Sequence, residues 1–174
     1  FGVKENNYLG KGLSINANLS LGSDKIKGIF DVENPNFNNS NKSVNFGIEA
    51  NEIDKLINSG YKSNKLGGLL GTKFEYLEDL KLGIKASSFL ETIETDSTAS
   101  TRQKKLAGDF FDTYVGFTFD YDKRNQKYQT SDGFRSYYSI DLPLLSDNNT
   151  LTNFYNYKVF SELYEENISS ISLS

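Results

Sequence analysis

The stretch Leu13-Ser14-Ile15-Asn16-Ala17-Asn18-Leu19-Ser20-Leu21 decides how this chain folds. Every odd-numbered position in it is apolar, and every even-numbered position is Ser or Asn. A repeat of two residues is typical of a β-strand with one apolar and one polar face, and it cannot be placed on one face of a helix. The stretch therefore predicts a strand whose two faces meet different surroundings.

Copies of this alternation recur along the chain. One face of each predicted strand is given by Val44, Phe46, Ile48 and Ala50, by Leu80, Leu82, Ile84 and Ala86, by Thr113, Val115, Phe117, Phe119 and Tyr121, and by Phe134, Ser136, Tyr138, Ile140 and Leu142. Weaker alternation covers 25–33, 65–77 and 154–164, with partial runs at 1–8 and 168–174. The sequence thus predicts an all-β antiparallel meander of about ten strands. Because both ends fall inside alternating runs, we expect an open, curved sheet whose first and last strands do not pair.

The connections between the predicted strands differ in length. Those at 9–12, 77–79 and 165–167 are tight, and those at 35–42 and 124–133 are moderate turns rich in Asn, Ser, Asp and Gly. The connections at 52–64, 94–109 and 145–153 are longer, polar and irregular, and they share one end of the sheet. The short connection near Ser23 is the exception at that end. Such asymmetry is typical of outer-membrane barrels, although a soluble meander can also show it.

Composition excludes several functional classes. The chain has 174 residues, which suits one domain, and its 19 Lys and Arg against 23 Asp and Glu leave a net charge of −4. This balance gives no basic surface for nucleic acid. The absence of Cys and His excludes disulfides, thiolate zinc sites, Cys nucleophiles and Ser-His-Asp triads. We therefore expect neither an enzyme nor a cofactor. Met is absent too, so Phe1 is expected to lie within a longer product.

Three classes of protein share the alternating pattern. The chain contains no apolar run near the roughly 18 residues of a membrane helix, and a mean hydropathy of −0.53 also suits a membrane barrel, which is apolar only on alternate residues. A polar face of Asn, Ser, Thr and Gly favours a barrel lumen over a soluble surface. So do aromatic residues near strand ends, namely Tyr8, Phe37, Tyr76, Phe110, Tyr121, Tyr128 and Tyr155. A passive porin or substrate channel and a soluble all-β binding module remain as alternatives.

Two pairs of acidic residues are candidates for chemistry. Asp120 and Asp122 share a strand face, where they could hold a cation or form an acid/base pair. Alternatively, these carboxylates are simply solvated charges on a water-facing surface. The same two interpretations apply to Asp31 and Glu33. Arg124 could bind an anion, but a salt bridge to Asp122 or to a neighbouring strand is the simpler interpretation.

Two other features each have two interpretations. The basic run Arg102-Gln103-Lys104-Lys105 could contact lipopolysaccharide phosphates at the outer rim, or it could be a solvated loop. Gly67, Gly68 and Gly71 are not a phosphate-binding loop, because no helical pattern follows them. They indicate close backbone approach or sheet curvature.

Three stretches, in order, resemble the Omp85 superfamily. Asn6-Asn7-Tyr8-Leu9-Gly10-Lys11-Gly12 resembles the turn near the beginning of its barrels, and Asn34-Pro35-Asn36-Phe37 resembles a segment two strands later. The stretch from Asp120-Tyr121-Asp122-Lys123-Arg124-Asn125 through Thr130-Ser131-Asp132-Gly133-Phe134-Arg135 resembles its Asp-x-Arg and Pro-Thr-x-Gly-x-Arg segment. The residues that match the family motifs, all expected to be structural, are Leu9, Gly10, Gly12, Pro35, Phe37, Asp122, Arg124, Thr130, Gly133 and Arg135.

The resemblance implies a fold and a function. Residues 1–174 would be a single partial domain, from about the second to about the eleventh strand of a transmembrane barrel of roughly 16 strands. The first strand, the last strands and therefore the family's lateral gate would lie outside the chain. The implied activity is folding and inserting other barrel proteins into the bacterial outer membrane, with no catalytic, metal or cofactor-binding residues. The implied partners are outer-membrane lipid and lipopolysaccharide, unfolded outer-membrane proteins and, for the intact protein, assembly lipoproteins.

The chain departs from the family pattern in three ways. Gln129 stands where the family usually has Pro before the Thr, which is expected to make that turn less rigid. The sequence contains no POTRA-like periplasmic domain. The family's Arg-Gly-Phe/Tyr loop motif is also absent from it.

Overall fold

The computed structural model describes residues 1–147, 150–164 and 167–173, most of which form one antiparallel sheet. Its strands are β1 (Gly2–Tyr8), β2 (Leu13–Leu21), β3 (Lys25–Asn34), β4 (Lys42–Lys55), β5 (Tyr61–Leu77), β6 (Leu80–Thr95), β7 (Gly108–Asp122), β8 (Gly133–Leu145), β9 (Thr152–Tyr164) and β10 (Asn167–Leu173). Two single-turn helices, α1 (Leu56–Ser59) and α2 (Thr101–Lys104), and a 3₁₀ turn (Phe37–Asn39) lie in the connections. In the described part of the chain, no helix has the length and apolarity needed to cross a membrane.

The strands follow one another in a meander. Each is hydrogen-bonded to its neighbours in the sequence, in the order β1 to β10. The prediction of ten antiparallel strands is confirmed. Within the described residues, β1 and β10 are the two edges of the sheet, so the prediction of an open sheet is confirmed as well.

The alternation along each strand separates two faces of the sheet. Residues paired across neighbouring strands share a face, and one such row runs Ile15, Val32, Phe46, Leu70, Ala86, Val115 and Leu142. We call this side the apolar face and the opposite side the polar face. On the polar face the corresponding positions carry residues such as Asn16, Glu49 and Asp120.

Charged residues of the apolar face lie at the strand ends. From β2 to β8, the charged residues on this face are Lys42, Glu52, Asp54, Lys62, Glu94 and Asp109, and the middle of each of these strands carries none. In β1, Glu5 is an exception because it is paired with Ile15 on this face. An uncharged apolar band therefore crosses the middle of the sheet, with Lys42 at one end of the strands and the other five charged residues at the opposite end.

Burial is reversed relative to a water-soluble sheet. Ala99, at 6% exposure, is the buried hydrophobic residue among those described, whereas Phe30, Phe46, Leu66, Leu70, Leu90 and Phe119 of the apolar face are all exposed. The most buried strand residues lie on the polar face, and they are Gly47, Ser63, Gly67, Gly71, Gly83 and Gly116. The apolar face is thus not packed against a second layer within the described chain.

One of the three predicted long connections is almost entirely strand and helix. The prediction of an irregular segment over 52–64 is wrong, because β4 continues to Lys55, α1 follows, and β5 begins at Tyr61. Ion pairs from Lys62 to Glu52 (2.9 Å) and Asp54 (3.4 Å) join these polar strand ends, which allows the ladder to extend. The connection between β6 and β7 spans 96–107 and contains α2. Residues 148–149, and 165–166 of the predicted tight turn, lie outside the described residues.

Candidate functional site

The three family-like stretches lie at one rim of the sheet. Successive strands of a meander run in opposite directions, so alternate connections share a rim. The connections 9–12, 35–41 and 123–132 therefore lie together, at what we call the motif rim. The connections 22–24, 56–60 and 96–107 lie at the opposite rim, which we call the distal rim.

Arg135 forms a two-pronged ion pair with Asp120 at the motif rim. Its Nε donates to Oδ1 and its Nη2 to Oδ2, each at 2.7 Å. The residue directly opposite Arg135 in the ladder is Asp122, so Asp120 is a diagonal partner. The guanidinium also lies 5.8 Å from the ring centre of Tyr137, which fixes its position against the polar face.

Arg124 pairs in the same way with Asp122, as the sequence interpretation expected. Its Nε and Nη2 donate to the two carboxylate oxygens at 2.7 Å. The hydrogen bond to Asp122 raises the pKa of Arg124 above its ordinary value. Each carboxylate of the Asp120 and Asp122 pair is therefore hydrogen-bonded to its own arginine. The Arg124 pair joins the turn to the end of β7, and the Arg135 pair joins β8 to β7.

These ion pairs surround a polar hollow of about 540 Å³ on the polar face. Its lining residues are Glu75, Asp79, Lys81, Asp120, Asp122, Arg124, Asn125, Gln126, Lys127 and Arg135. Lys123 reaches Asp79 across the neighbouring turn at 3.1 Å, and its hydrogen bond to that carboxylate raises the pKa of Lys123. Acidic and basic residues occur in equal number around the hollow. Their ion pairs connect the neighbouring turns, so the arrangement suits a structural role.

The turn 123–132 is held by its own side chains. Thr130 is buried and its Oγ1 donates to the Gln126 carbonyl at 2.7 Å. Asn125 donates to Ser131 Oγ at 2.6 Å, and its Oδ1 accepts from the Ser131 and Asp132 amides at 3.3 Å. Thr130 thus has a structural role in closing the turn.

Gln129 has a backbone conformation that proline cannot adopt. Its φ is 52°, whereas the proline ring fixes φ near −65°. The Gln126 side-chain amide donates to the Gln129 carbonyl at 2.6 Å, which supports this left-handed residue. Proline therefore does not fit the backbone conformation of this chain at position 129.

Gly133, the motif residue directly after this turn, has no room for a side chain. Its φ is 99°, and a Cβ at this position would overlap the Lys123 carbonyl oxygen and lie 2.9 Å from Arg124 Cα. The turn and β8 can therefore approach each other only with glycine here.

The first two motif turns are built on left-handed residues. Leu9, Gly10 and Gly12 have φ values of 53°, 70° and 68°, and Asn7 Oδ1 accepts from the Gly12 amide at 2.7 Å. A positive φ is uncommon for leucine, and it leaves the Leu9 side chain exposed at the tip of the turn.

The second motif turn follows Pro35. Asn38 and Asn39 both have a φ of 55°, and Ser40 Oγ donates to the Phe37 carbonyl at 2.6 Å. Phe37 is exposed at the motif rim. An exposed aromatic ring at this height agrees with the predicted aromatic residues near strand ends.

Sequence reasoning missed the cross-strand contacts over glycine on the polar face. Lys85 and Asp141 lie on the strands that flank Gly116, and their side chains meet above it with Nζ 2.9 Å from Oδ1. The Phe89 ring lies over Gly67, where a Cβ would overlap it, and Lys65 Nζ lies 4.5 Å from the centre of that ring. Of the two interpretations of the three glycines, close approach is found at Gly67 and at Gly71, where a Cβ would lie 2.6 Å from Asn45 Oδ1, but not at Gly68, where the nearest atom is 3.7 Å away. Isolated glycines within alternating runs were the available signal.

The other predicted polar candidates do not converge on a site. Asp31 Oδ2 accepts from the Asn16 side-chain Nδ2 at 3.3 Å, while Glu33 is exposed. Arg102, Lys104 and Lys105 are exposed at the distal rim, where Lys104 donates to the Ser97 carbonyl at 2.8 Å. Across residues 1–147, 150–164 and 167–173, no group of three or more acidic side chains is arranged to hold a metal ion.

The connection 96–107 is ordered by a reciprocal pair of hydrogen bonds. The Gln103 amide donates to Ser100 Oγ, and Gln103 Oε1 accepts from the Ser100 amide at 3.0 Å. Asp96 accepts from the Thr98 amide and hydroxyl at 2.7 and 2.6 Å, and these bonds lower the pKa of Asp96. The connection packs on Gly60, which is buried and has a φ of 62°.

The fold and the two faces define a class of protein, the wall of an antiparallel β-barrel with one apolar and one polar side. The Omp85 superfamily domain matches residues 7–173, and the chain belongs to that superfamily. Among solved structures, BamA from Haemophilus ducreyi lacking POTRA domains 1-3 is similar, with a TM-score of 0.74 and 20% identity. The match covers 95% of this chain and 35% of that one, so the chain spans about a third of the related structure. A search of curated proteins finds no match.

Proposed function

We propose that the chain is part of the wall of a transmembrane barrel in the bacterial outer membrane, and that the intact protein folds and inserts other barrel proteins there. No covalent reaction, catalytic residue or cofactor takes part. Membership of the Omp85 superfamily supports this proposal. The observation that carries it is the exposed apolar face, which has no charge in the middle of β2 to β8.

The two faces have different solvation requirements. Hydrocarbon offers no hydrogen-bonding partner to a charged side chain, so a face that meets lipid must be uncharged. The polar face carries ion pairs such as Lys27 with Glu49 (2.9 Å) and Lys85 with Asp141, all partly exposed. Water in a lumen hydrates such pairs at little cost. A soluble binding module would instead cover its apolar face with a second layer, and the described residues form none.

The proposed partners follow from this placement. The apolar face would meet outer-membrane lipid and lipopolysaccharide, and the intact protein would receive unfolded outer-membrane proteins together with assembly lipoproteins. Nucleic acid is not a proposed partner, because the net charge is −4.

Orientation is tested by labelling whole cells that carry the full-length protein. We expect the motif rim to face the periplasm and the distal rim to face outward. Protease or a biotin reagent added to cells should then reach residues 94–109 but not 125–133. The reverse pattern would contradict the orientation.

Insertase activity is tested with the full-length protein in lipid vesicles. We expect a urea-unfolded outer-membrane barrel protein to fold faster in these vesicles than in empty ones. Folding is measured by the gel shift of the unheated sample. A passive channel is the second candidate function, because its lumen would also be lined by partly hydrated charges like those of the polar face. Ion conductance without any acceleration of folding would favour that channel.

A further inference from the structure

A shallow furrow crosses the apolar face over β1 to β6, towards the distal rim. It consists of two adjoining hollows of about 340 and 470 Å³ that share Leu19, Gly28 and Ala50. Ala17, Gly28 and Ala50 form its floor, while Leu19, Phe30 and Ile48 form walls. We call this feature the outer furrow.

The glycine in the floor has no structural reason within the chain. A Cβ added to Gly28 would meet nothing within 4 Å, and its φ requires no glycine. The pairing of β3 with β2 and β4 runs through this residue without a bulge. Glycine inside a strand weakens it and usually marks a bulge, a bend or the close approach of a ligand or another backbone. No bulge occurs at Gly28, and the furrow lies directly above it, which favours the approach of an occupant from outside the chain.

The chemistry of the furrow selects a hydrocarbon occupant. Since β3 is hydrogen-bonded along both edges, to β2 and β4, its backbone groups are already paired and cannot bind an extended peptide. The side chains of the floor and walls are aliphatic or aromatic. An apolar cavity of about 150 Å³ accommodates benzene, and each hollow is more than twice that size.

The two ends of the furrow differ in polarity. The second hollow reaches Asn64 and Thr92, close to the Glu52 and Lys62 ion pair near the distal rim. The first hollow lies among the uncharged residues of the apolar band. An occupant with one polar end and one long apolar end fits this arrangement, and the furrow is continuous with the face that we propose meets lipid.

We infer that the outer furrow binds one acyl chain of a membrane lipid, with the polar end of that lipid near Asn64 and Thr92. This inference rests on the proposed function, because it requires the apolar face to meet lipid. It goes further than the proposed function, because it distinguishes an acyl chain bound at β2 to β4 from the exchanging bulk lipid that contacts the rest of the face.

Quenching by brominated acyl chains tests the inference in the full-length protein. The chain contains no Trp, so the Phe30→Trp variant reports on the furrow once any Trp elsewhere in the protein is replaced by Phe. Phe119→Trp is the matched control, since Phe30 and Phe119 lie on the same face with exposures of 42% and 45%. Both variants are placed in vesicles that contain brominated phosphatidylcholine. We expect stronger quenching in Phe30→Trp at every fraction of brominated lipid.

A second substitution removes the space for the acyl chain. Gly28→Leu fills the floor without a clash, and Ala50→Leu fills the same place if Gly28→Leu does not fold. Either substitution should abolish the excess quenching in Phe30→Trp and leave Phe119→Trp unchanged.

The other outcomes separate the inference from the proposed function. Equal quenching of both variants, insensitive to Gly28→Leu, would show ordinary surrounding lipid and overturn the inference. Quenching of Phe119→Trp alone would show that another macromolecule covers the furrow, which also overturns it. If neither variant is quenched, the apolar face does not meet lipid, and the membrane placement in the proposed function fails as well.

Discussion

Gly67 and Gly28 both lie inside regular strands, but their surroundings are opposite. On the polar face, the Phe89 ring covers Gly67 so closely that a Cβ would overlap it. On the apolar face, the space above Gly28 is empty. The same contrast separates Gly116, which is covered by Lys85 and Asp141, from Gly68, where a Cβ would meet only the Gly47 carbonyl oxygen at 3.7 Å.

This difference shows that the two faces of the sheet are covered in different ways. The polar face is filled by the chain's own side chains, which reach across neighbouring strands and close over glycine. The apolar face leaves its large side chains exposed and its small ones uncovered. Packing within the chain therefore stabilises one face, while the other depends on what surrounds the protein.

The largest expected effect comes from placing one charge on each face in turn. With the barrel in lipid vesicles, Ile15→Arg should lower the free energy of unfolding by about 2–4 kcal/mol near the middle of the membrane, because lipid cannot hydrate the guanidinium. Asn16→Arg should cost far less, since it points into water. Urea unfolding in vesicles measures both.

Position-specific quenching distinguishes a membrane barrel from a soluble sandwich. Arg at Ile15 would also destabilise a soluble sandwich, so stability alone is ambiguous. A fluorophore attached at position 15 should be quenched by lipid-soluble quenchers, and one at position 16 should be spared. Quenching at position 16 alone would reverse the assignment of the faces.

The glycines give the next largest difference. Gly67→Ala should destabilise the barrel by about 1–3 kcal/mol, because the added methyl group must displace the Phe89 ring. Gly68→Ala, one residue away on the other face, should be neutral or stabilise by up to about 1 kcal/mol, since alanine restricts the unfolded chain more. Equal effects in urea unfolding would mean that crowding does not distinguish the two faces.

The alternation of residues was sufficient to predict the strands, the meander and the two faces. It could not place the ends of β4 and β5, because polar residues such as Lys62 and Asp54 look like loop until their cross-strand ion pairs are known. A salt bridge from Arg124 to Asp122 is one of two alternatives that the sequence suggests, because these residues are near in sequence, and it is the one found. Sequence reasoning missed the pairing of Arg135 with Asp120, which depends on a diagonal contact between strands. The space above Gly28 depends on neighbouring strands, so no local pattern could predict it.

Backbone conformation at the motif rim allows a smaller test of the same packing argument. Gln129→Pro should lower the free energy of unfolding by more than about 1 kcal/mol, because φ must change from 52° to a negative value. Gln129→Gly is the control, as glycine tolerates the left-handed conformation. If the proline variant unfolds at the same urea concentration as the glycine variant, the turn adopts another path in solution.

Protonation of Asp96 should give the smallest effect, a local loosening at the distal rim. Hydrogen bonds from Thr98 lower the pKa of this carboxyl in the folded protein, so the ionised form favours the folded connection. The stabilisation is therefore present above the unfolded pKa of about 3.9 and is lost as the pH falls through the lower folded value. Hydrogen exchange at the Thr98 amide, which donates to the Asp96 carboxylate, should accelerate in acid relative to amides in the middle of β6 once the intrinsic pH dependence of exchange is removed. Asp96→Asn cannot ionise and should abolish this extra acceleration. An unchanged pH response in Asp96→Asn would show that another group controls the connection packed on Gly60.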